Sequence, residues 1–204
     1  EAFEQLKEQG VKKESVVLTF DDGFQDNFQY LLPVLKKHQV PATYYINSSV
    51  VGTKKNLWFQ SVINYFYSID AVEVFIELTG KRYDLSTANK RYEAAFDFMQ
   101  YIQANHQPED FHETIAKLAG NACLPDESDL HLSWDELKIL SNEPLITLGA
   151  HSYNHYPLAY CSEELSKFEI EKSVKDLEEN LDIKVSHFSY PRGHIEDFTD
   201  WHIS

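Results

Sequence analysis

The chain has 204 residues, enough for one domain with a sizeable core, and its 43% hydrophobic and 14% aromatic content belongs to a packed protein, not a disordered one. Acidic residues (33) outnumber lysine plus arginine (18), giving a formal net charge of −15. No basic patch is visible, which argues against nucleic acid or an anionic membrane surface and fits an uncharged polymer or small molecule.

Residues 1–14 read as a short polar helix and linker anchored by Phe3 and Leu6. Val16-Val17-Leu18 then reads as a buried strand, too short and too β-branched to favour a helix. It runs into Thr19-Phe20-Asp21-Asp22-Gly23. Adjacent carboxylates at the end of a strand are costly unless something positive lies beside them, and a metal ion meets that need. Asn27 is a candidate cap for a helix whose Phe28, Leu31, Leu32 and Leu35 share one face; Pro33 should kink it or mark its true first turn. Val40-Pro41 ends that helix and Ala42–Ile46 is the next strand, so strand, helix and strand form a βαβ unit with parallel strands.

Residues 57–130 break this rhythm. A helix over 57–69 (Trp58, Val62, Tyr65, Phe66, Ile69) precedes a hairpin of 72–78 with 83–85 turning at Thr79-Gly80-Lys81. Helices near 89–105 and 109–118 follow, the second introduced by Pro108. This stretch reads as an insertion without chemistry of its own that covers one side of the domain or shapes a groove. The aromatics Trp58, Phe59, Tyr65, Phe66 and Tyr67 could form a sugar platform, but their helical spacing favours core.

The regular pattern returns with Ser133 and Glu136, a capping-box pair opening a helix through Leu140. Leu145–Ala150 is a strand with His151 directly after it. Ser162 caps a long helix with Leu165, Phe168, Val174, Leu177 and Leu181 as its apolar face. Ile183–Phe188 leads into a strand emptying into Ser189-Tyr190-Pro191-Arg192-Gly193. Cys123 and Cys161 lack metal-like spacing and leave the redox compartment open. No apolar run approaches the ~20 residues of a membrane span, and a chain opening on Glu1 reads as a processed or trimmed piece.

Three strands thus end in chemically capable residues: Asp21 and Asp22, His151 and His155, and Tyr190 to Arg192. In parallel α/β folds, sites lie at the carboxyl ends of strands, so all three clusters belong on one edge of one sheet. His151 and His155, four apart, can aim both imidazoles at one ion. With one carboxylate they make a site that suits zinc or another borderline divalent ion. Either pair alone is weak, since a His-x-x-x-His pair arises by chance and an Asp pair can be a helix cap; their joint occurrence at strand ends gives the signal its weight.

Thr19–Gly23, His151-Ser152-Tyr153-Asn154-His155 and Phe188–Gly193 resemble the first three motifs of the polysaccharide deacetylases, the NodB-homology domain of carbohydrate esterase family four. Pro41-Ala42-Thr43, and Leu158 with Ser162-Glu163-Glu164, match the local context as well. The resemblance covers residues 11–50 and 131–195 but not the insertion. It implies a distorted (β/α) barrel spanning the whole chain as one catalytic domain, and a metal-dependent deacetylase acting on N-acetylated sugars. Asp22, His151 and His155 would be the metal ligands, with zinc favoured and cobalt or nickel as alternatives, and Asp21 would be the general base. Arg192 stands where a backbone N–H supports the oxyanion, and Tyr190 and Pro191 would wall the sugar pocket.

Two departures stand out. Many members carry an arginine at the position of Ser189 that orients the base, a task Arg192 could take over from another direction. The family's fourth and fifth motifs, including the histidine that protonates the leaving amine, have no match after Gly193. His194 and His202 read as surface residues and Asp200-Trp201 is only a faint echo. The chain is therefore expected to lack the last strands of its barrel, leaving a sheet edge open to self-association. O-acetyl ester hydrolysis at the same site and a non-catalytic carbohydrate-binding remnant are the alternative functions. By resemblance the setting is the cell envelope or secreted glycans.

Overall fold

The computed structural model describes residues 16–119 and 130–202. The expected helix over 1–14 and Cys123 lie outside these residues, and Cys161 carries a free thiol.

Strand β1 spans Leu18–Phe20, two residues later than the valine run suggests. Val16 and Val17 are instead exposed. The register explains this: Leu18 pairs with Ala42 at the start of β2, Ala42–Ile46. Val17 would therefore face Pro41, which has no N–H to offer a ladder.

Between these strands, Asn27–Leu31 forms a π-helical turn closed by the Leu32 N–H on the Asn27 carbonyl. The α-helix proper, α1 (Leu32–His38), starts with Pro33 in its first turn, where a missing N–H costs nothing. It ends at Gln39 in the left-handed conformation (φ 55°). Strand β5 (Ile146–Ala150, numbered after the hairpin below) completes a parallel sheet in the order β1-β2-β5.

Alternation along the three strands gives the sheet two unlike faces. Leu18, Phe20, Ala42, Tyr44, Ile46, Ile146, Leu148 and Ala150 pack with residues of α1 and of the two helices flanking β5 to form the main core. Each fully buried side chain of this kind contributes roughly 1.5–3 kcal/mol. Thr19, Thr43, Tyr45, Thr147 and Gly149 occupy the other face, where Thr19 and Thr147 are exposed. The strand expected to end at Phe188 is reduced to one parallel bridge to Ala150, flanked by the Ala150 N–H on the His187 carbonyl at 3.0 Å and the Ser189 N–H on the Ala150 carbonyl at 2.9 Å. The α/β class and parallel sheet are as expected, and the described strands form no closed ring.

The insertion has a core of its own. Helix α2 (Trp58–Ser68), the antiparallel hairpin β3 (Glu73–Ile76) and β4 (Lys81–Asp84), α3 (Ala88–Asn105) and α4 (Phe111–Ala119) follow in order. Trp58, Val62, Phe66, Phe98, Ile102 and Phe111 are fully buried there, and Tyr156, directly after the second motif, joins them. Tyr67 is exposed, and Phe59 and Tyr65 are half-buried.

Helix α5 (Trp134–Ser141) opens with both reciprocal bonds of the Ser133–Glu136 capping box. Helix α6 (Glu163–Leu181) is capped by Ser162, whose Oγ accepts the Leu165 N–H at 3.1 Å. Its buried residues differ from the expected stripe. They are Ser166, Glu169, Ser173, Leu177 and Leu181, whereas Phe168 points outward. The first half of α6 packs against loop backbone, which needs hydrogen-bonding partners more than apolar bulk.

Candidate metal centre

The pleat sets the site. Asp21 follows Phe20 and His151 follows Ala150, so both continue the sheet's open face at its carboxyl edge. Asp22 and Gly23 turn the chain with φ 70° and 67°; a Cβ on Gly23 would lie 3.2 Å from Ile46 Cδ1. The turn is pinned by the Leu132 N–H on the Gly23 carbonyl at 2.9 Å.

Asp22 Oδ1 lies 3.6 Å from His151 Nε2 and 3.4 Å from His155 Nε2. It is buried with no hydrogen-bond partner among the described residues. These three residues form the one group among those described whose ligand atoms could hold an ion, all within 4.8 Å of one another. A tetrahedral ion with bonds of about 2.0–2.2 Å keeps its ligand atoms about 3.4 Å apart, which the two separations from Asp22 match. Asp21 sits beside it, with Oδ2 3.8 Å from His151 Nε2 and the side chain 48% exposed.

Each imidazole is oriented from behind. His151 Nδ1 donates to the Ser189 carbonyl at 2.8 Å, which fixes its proton there and leaves the Nε2 lone pair free. The His151 N–H extends the ladder to the Ile46 carbonyl at 2.9 Å. Asn47, fully buried just after β2, donates through Nδ2 to the carbonyls of His151 and Ser152. His155 is held by the insertion: Trp58 Nε1 donates to its carbonyl at 3.0 Å, and the Phe59 ring lies 4.8 Å from its own. The insertion therefore packs against the site through Trp58 and Phe59.

Electrostatics point the same way. Burial first, and then the neighbouring Asp21 charge, push the Asp22 carboxyl up to about 7. Burial holds His155 well below the usual imidazole range, with His151 adding to the effect. His151 is likewise lowered by burial, against the pull of Asp21. A carboxyl that resists ionising and two neutral imidazoles around one point are an arrangement that a cation would relieve.

The third motif continues from Ser189, whose carbonyl holds His151. Arg192 (φ 65°) donates through Nη1 to Gln103 of α3 at 2.8 Å and approaches the buried Asp197 at 3.5 Å, so its guanidinium turns to these residues instead of Asp21. The Tyr190 hydroxyl donates to the His202 carbonyl at 2.7 Å and its ring stacks on Phe198 at 4.5 Å. Pro191 is buried, His194 is exposed and His202 is half-buried. Sequence reading missed Asn47, Trp58 and Phe59 as site residues, along with Glu169 on α6. Glu169 was the only one with a visible signal, a charge on the buried side of an amphipathic helix.

Comparison with known proteins places these features. A sequence profile described as "Polysaccharide deacetylase" matches residues 8–203. A deacetylase from Streptococcus pyogenes, PplD, solved with acetate, superposes over 99% of this chain and 56% of its own, with a TM-score of 0.55 and 16% identity. A de-N-acetylase from Aggregatibacter actinomycetemcomitans covers 98% of this chain and 62% of its own, with a TM-score of 0.50 and 15% identity. At such identities the likeness is one of fold. Among curated sequences, the putative polysaccharide deacetylase YxkH of Bacillus subtilis is 45% identical over 42 residues, 21% of this chain and 15% of that protein.

Proposed function

Because this chain belongs to the polysaccharide deacetylase family, we propose that it hydrolyses N-acetyl groups of an N-acetylated polysaccharide with the help of a divalent ion, most simply zinc, held by Asp22, His151 and His155. Cobalt or nickel would suit the same donors. The observation that carries this reading is the buried Asp22 Oδ1, with no hydrogen-bond partner among the described residues and two imidazole Nε2 atoms at 3.4 and 3.6 Å.

A bound ion supplies a polarised acetyl carbonyl and a water of lowered pKa. The chain's own groups do the rest. Asp21, adjacent and open to solvent, takes the proton of the attacking water as general base. His151 keeps its Nδ1 proton on Ser189 throughout, so its Nε2 stays a donor of electrons and does not shuttle protons. The Arg192 backbone N–H is assigned to the developing oxyanion, and Tyr190 with Pro191 to the wall of the sugar pocket. The guanidinium of Arg192, engaged by Gln103 and Asp197, is assigned to holding the third-motif loop against the insertion.

An O-acetyl esterase is the second reading. The same donors and Asp21 would serve an ester, whose leaving group needs an acid less than an amine does. Acetate release from N-acetylglucosamine oligomers and from acetyl-xylan, with zinc and after chelation, separates the readings. Metal uptake without acetate from either would leave a binding module.

The barrel belongs to this proposal too. Parallel sheets are normally covered on both faces, and further strands beside Phe188 curling over Thr19, Thr43 and Thr147 would supply the second cover. Without them, self-association through the sheet edge is expected.

A further inference from the structure

Glu169 is a carboxylate with no exposed surface, on the buried side of α6. Its Oε2 accepts the Asn154 backbone N–H at 2.6 Å and its Oε1 the Asn154 Nδ2 at 2.7 Å. The Ser152 hydroxyl and the Tyr153 N–H also face it and favour its charged form. Residues 152, 153 and 154 are all that separate His151 from His155. One acceptor thus gathers donors from every residue of the segment between the two imidazoles.

That segment is not a relaxed turn. Ser152 and His155 both adopt left-handed backbone conformations, φ 63° and 59°, which residues with a side chain enter at a cost. Ser152 Oγ also accepts the His155 N–H at 3.0 Å. The chain of contacts therefore runs from Glu169 through Ser152 and Asn154 to the backbone of the second histidine. A helix seeking only burial would place an apolar residue at this point, since a desolvated carboxylate is a poor source of stability. What a carboxylate adds is several acceptor sites in one place, aimed at a loop.

We infer that Glu169 is the positioning residue of the centre: it holds residues 152–154 so that the His155 imidazole meets Asp22 and His151. This rests on the metal reading of those three residues. It predicts that Glu169 sets how tightly the folded protein holds an ion, although it touches none of the ligand side chains.

The test is zinc affinity, measured by competition with a chelating dye on protein shown by circular dichroism to be folded. A purely structural role would change the folded fraction, not the affinity of the folded molecules. Glu169→Gln turns an amide NH₂ toward the Asn154 NH₂ and should weaken zinc binding at least tenfold. Combining it with Asn154→Asp reverses the polarity of that pair, keeps the total charge, and should restore affinity to within threefold of the wild type. Wild-type affinity in Glu169→Gln, or a double variant as weak as the single, overturns the inference. If Glu169→Gln does not fold, Asn154→Ala replaces it: binding at least threefold weaker supports the inference and unchanged binding overturns it. A wild-type protein that takes up no zinc removes the metal reading itself, and this inference falls with it.

Discussion

His155 Nε2 stands 3.4 Å from Asp22 Oδ1, an oxygen that has no hydrogen-bond partner among the described residues. Under the proposed metal reading a cation joins the pair, and without one the buried Asp22 carboxylate is uncompensated. Asp22 has its carboxyl pKa raised from 3.8 to about 7, so the unfolded chain loses that proton at lower pH than the folded one. Stability of the metal-free protein therefore falls as pH rises across this window.

Asp22→Asn removes that penalty and suits the left-handed backbone at this position. The metal-free variant should melt higher than the wild type at pH 7.5, by several degrees if the gain is about 1–3 kcal/mol. Added zinc should raise the wild-type midpoint and leave the variant unmoved. A metal-free variant less stable than the wild type would refute this account of Asp22.

His131 titrates with the opposite consequence. It is 5% exposed, stacked on Phe24 at 5.1 Å, and neither ring nitrogen has a partner among the described residues. Burial lowers its pKa from 6.5 to about 4. The unfolded chain then takes up a proton first as pH falls through this window, and stability drops by at most about 3 kcal/mol. Urea unfolding at pH 7 and 4.5, in the Asp22→Asn background to remove the opposing effect, should show a larger loss with His131 than with His131→Gln, the buried His151 and His155 contributing alike to both. Equal losses would refute it.

Gly149 lies opposite Tyr45 in the sheet register. A Cβ there would sit 2.6 Å from the Tyr45 ring and 2.9 Å from the His187 carbonyl. Gly149→Ala should cost about 1–3 kcal/mol by overpacking next to His151. Tyr45→Ala should recover only part of it, because the His187 backbone cannot be trimmed. Chemical denaturation of both variants checks this, and a neutral Gly149→Ala would contradict it.

Trp58→Phe keeps an aromatic ring against Phe111, now 4.8 Å away, but leaves the His155 carbonyl without its donor. We expect a loss of about 1–2 kcal/mol in unfolding free energy together with weaker zinc binding. A change in stability with unchanged zinc affinity would confine Trp58 to the insertion's core.

Much of this was legible in the sequence for reasons that can be named. Ser133 and Glu136, Pro108 and the 3.6-residue spacing of Trp58, Val62 and Phe66 act locally, so the helices they mark are where they were expected. The Asp pair and the two histidines declared themselves because carboxylates and imidazoles at strand ends are uncommon together. Val16 and Val17 misled because strand boundaries are decided by the partner, here Pro41. The third-motif strand shrank to the Phe188 bridge for a similar reason, since pairing is a property of two segments. The bracing of the site was hidden because Asn47, Trp58 and Glu169 act on residues 104, 97 and 15 positions away. Only Glu169 breaks a local pattern, standing where an apolar residue belongs.

The central claim is that Asp22, His151 and His155 hold one divalent ion. Equilibrium dialysis against zinc with elemental analysis of the dialysed protein tests it directly. The account predicts one zinc per wild-type chain and its loss in His155→Ala and in Asp22→Asn. The same zinc content in all three proteins, or none in the wild type, would contradict it.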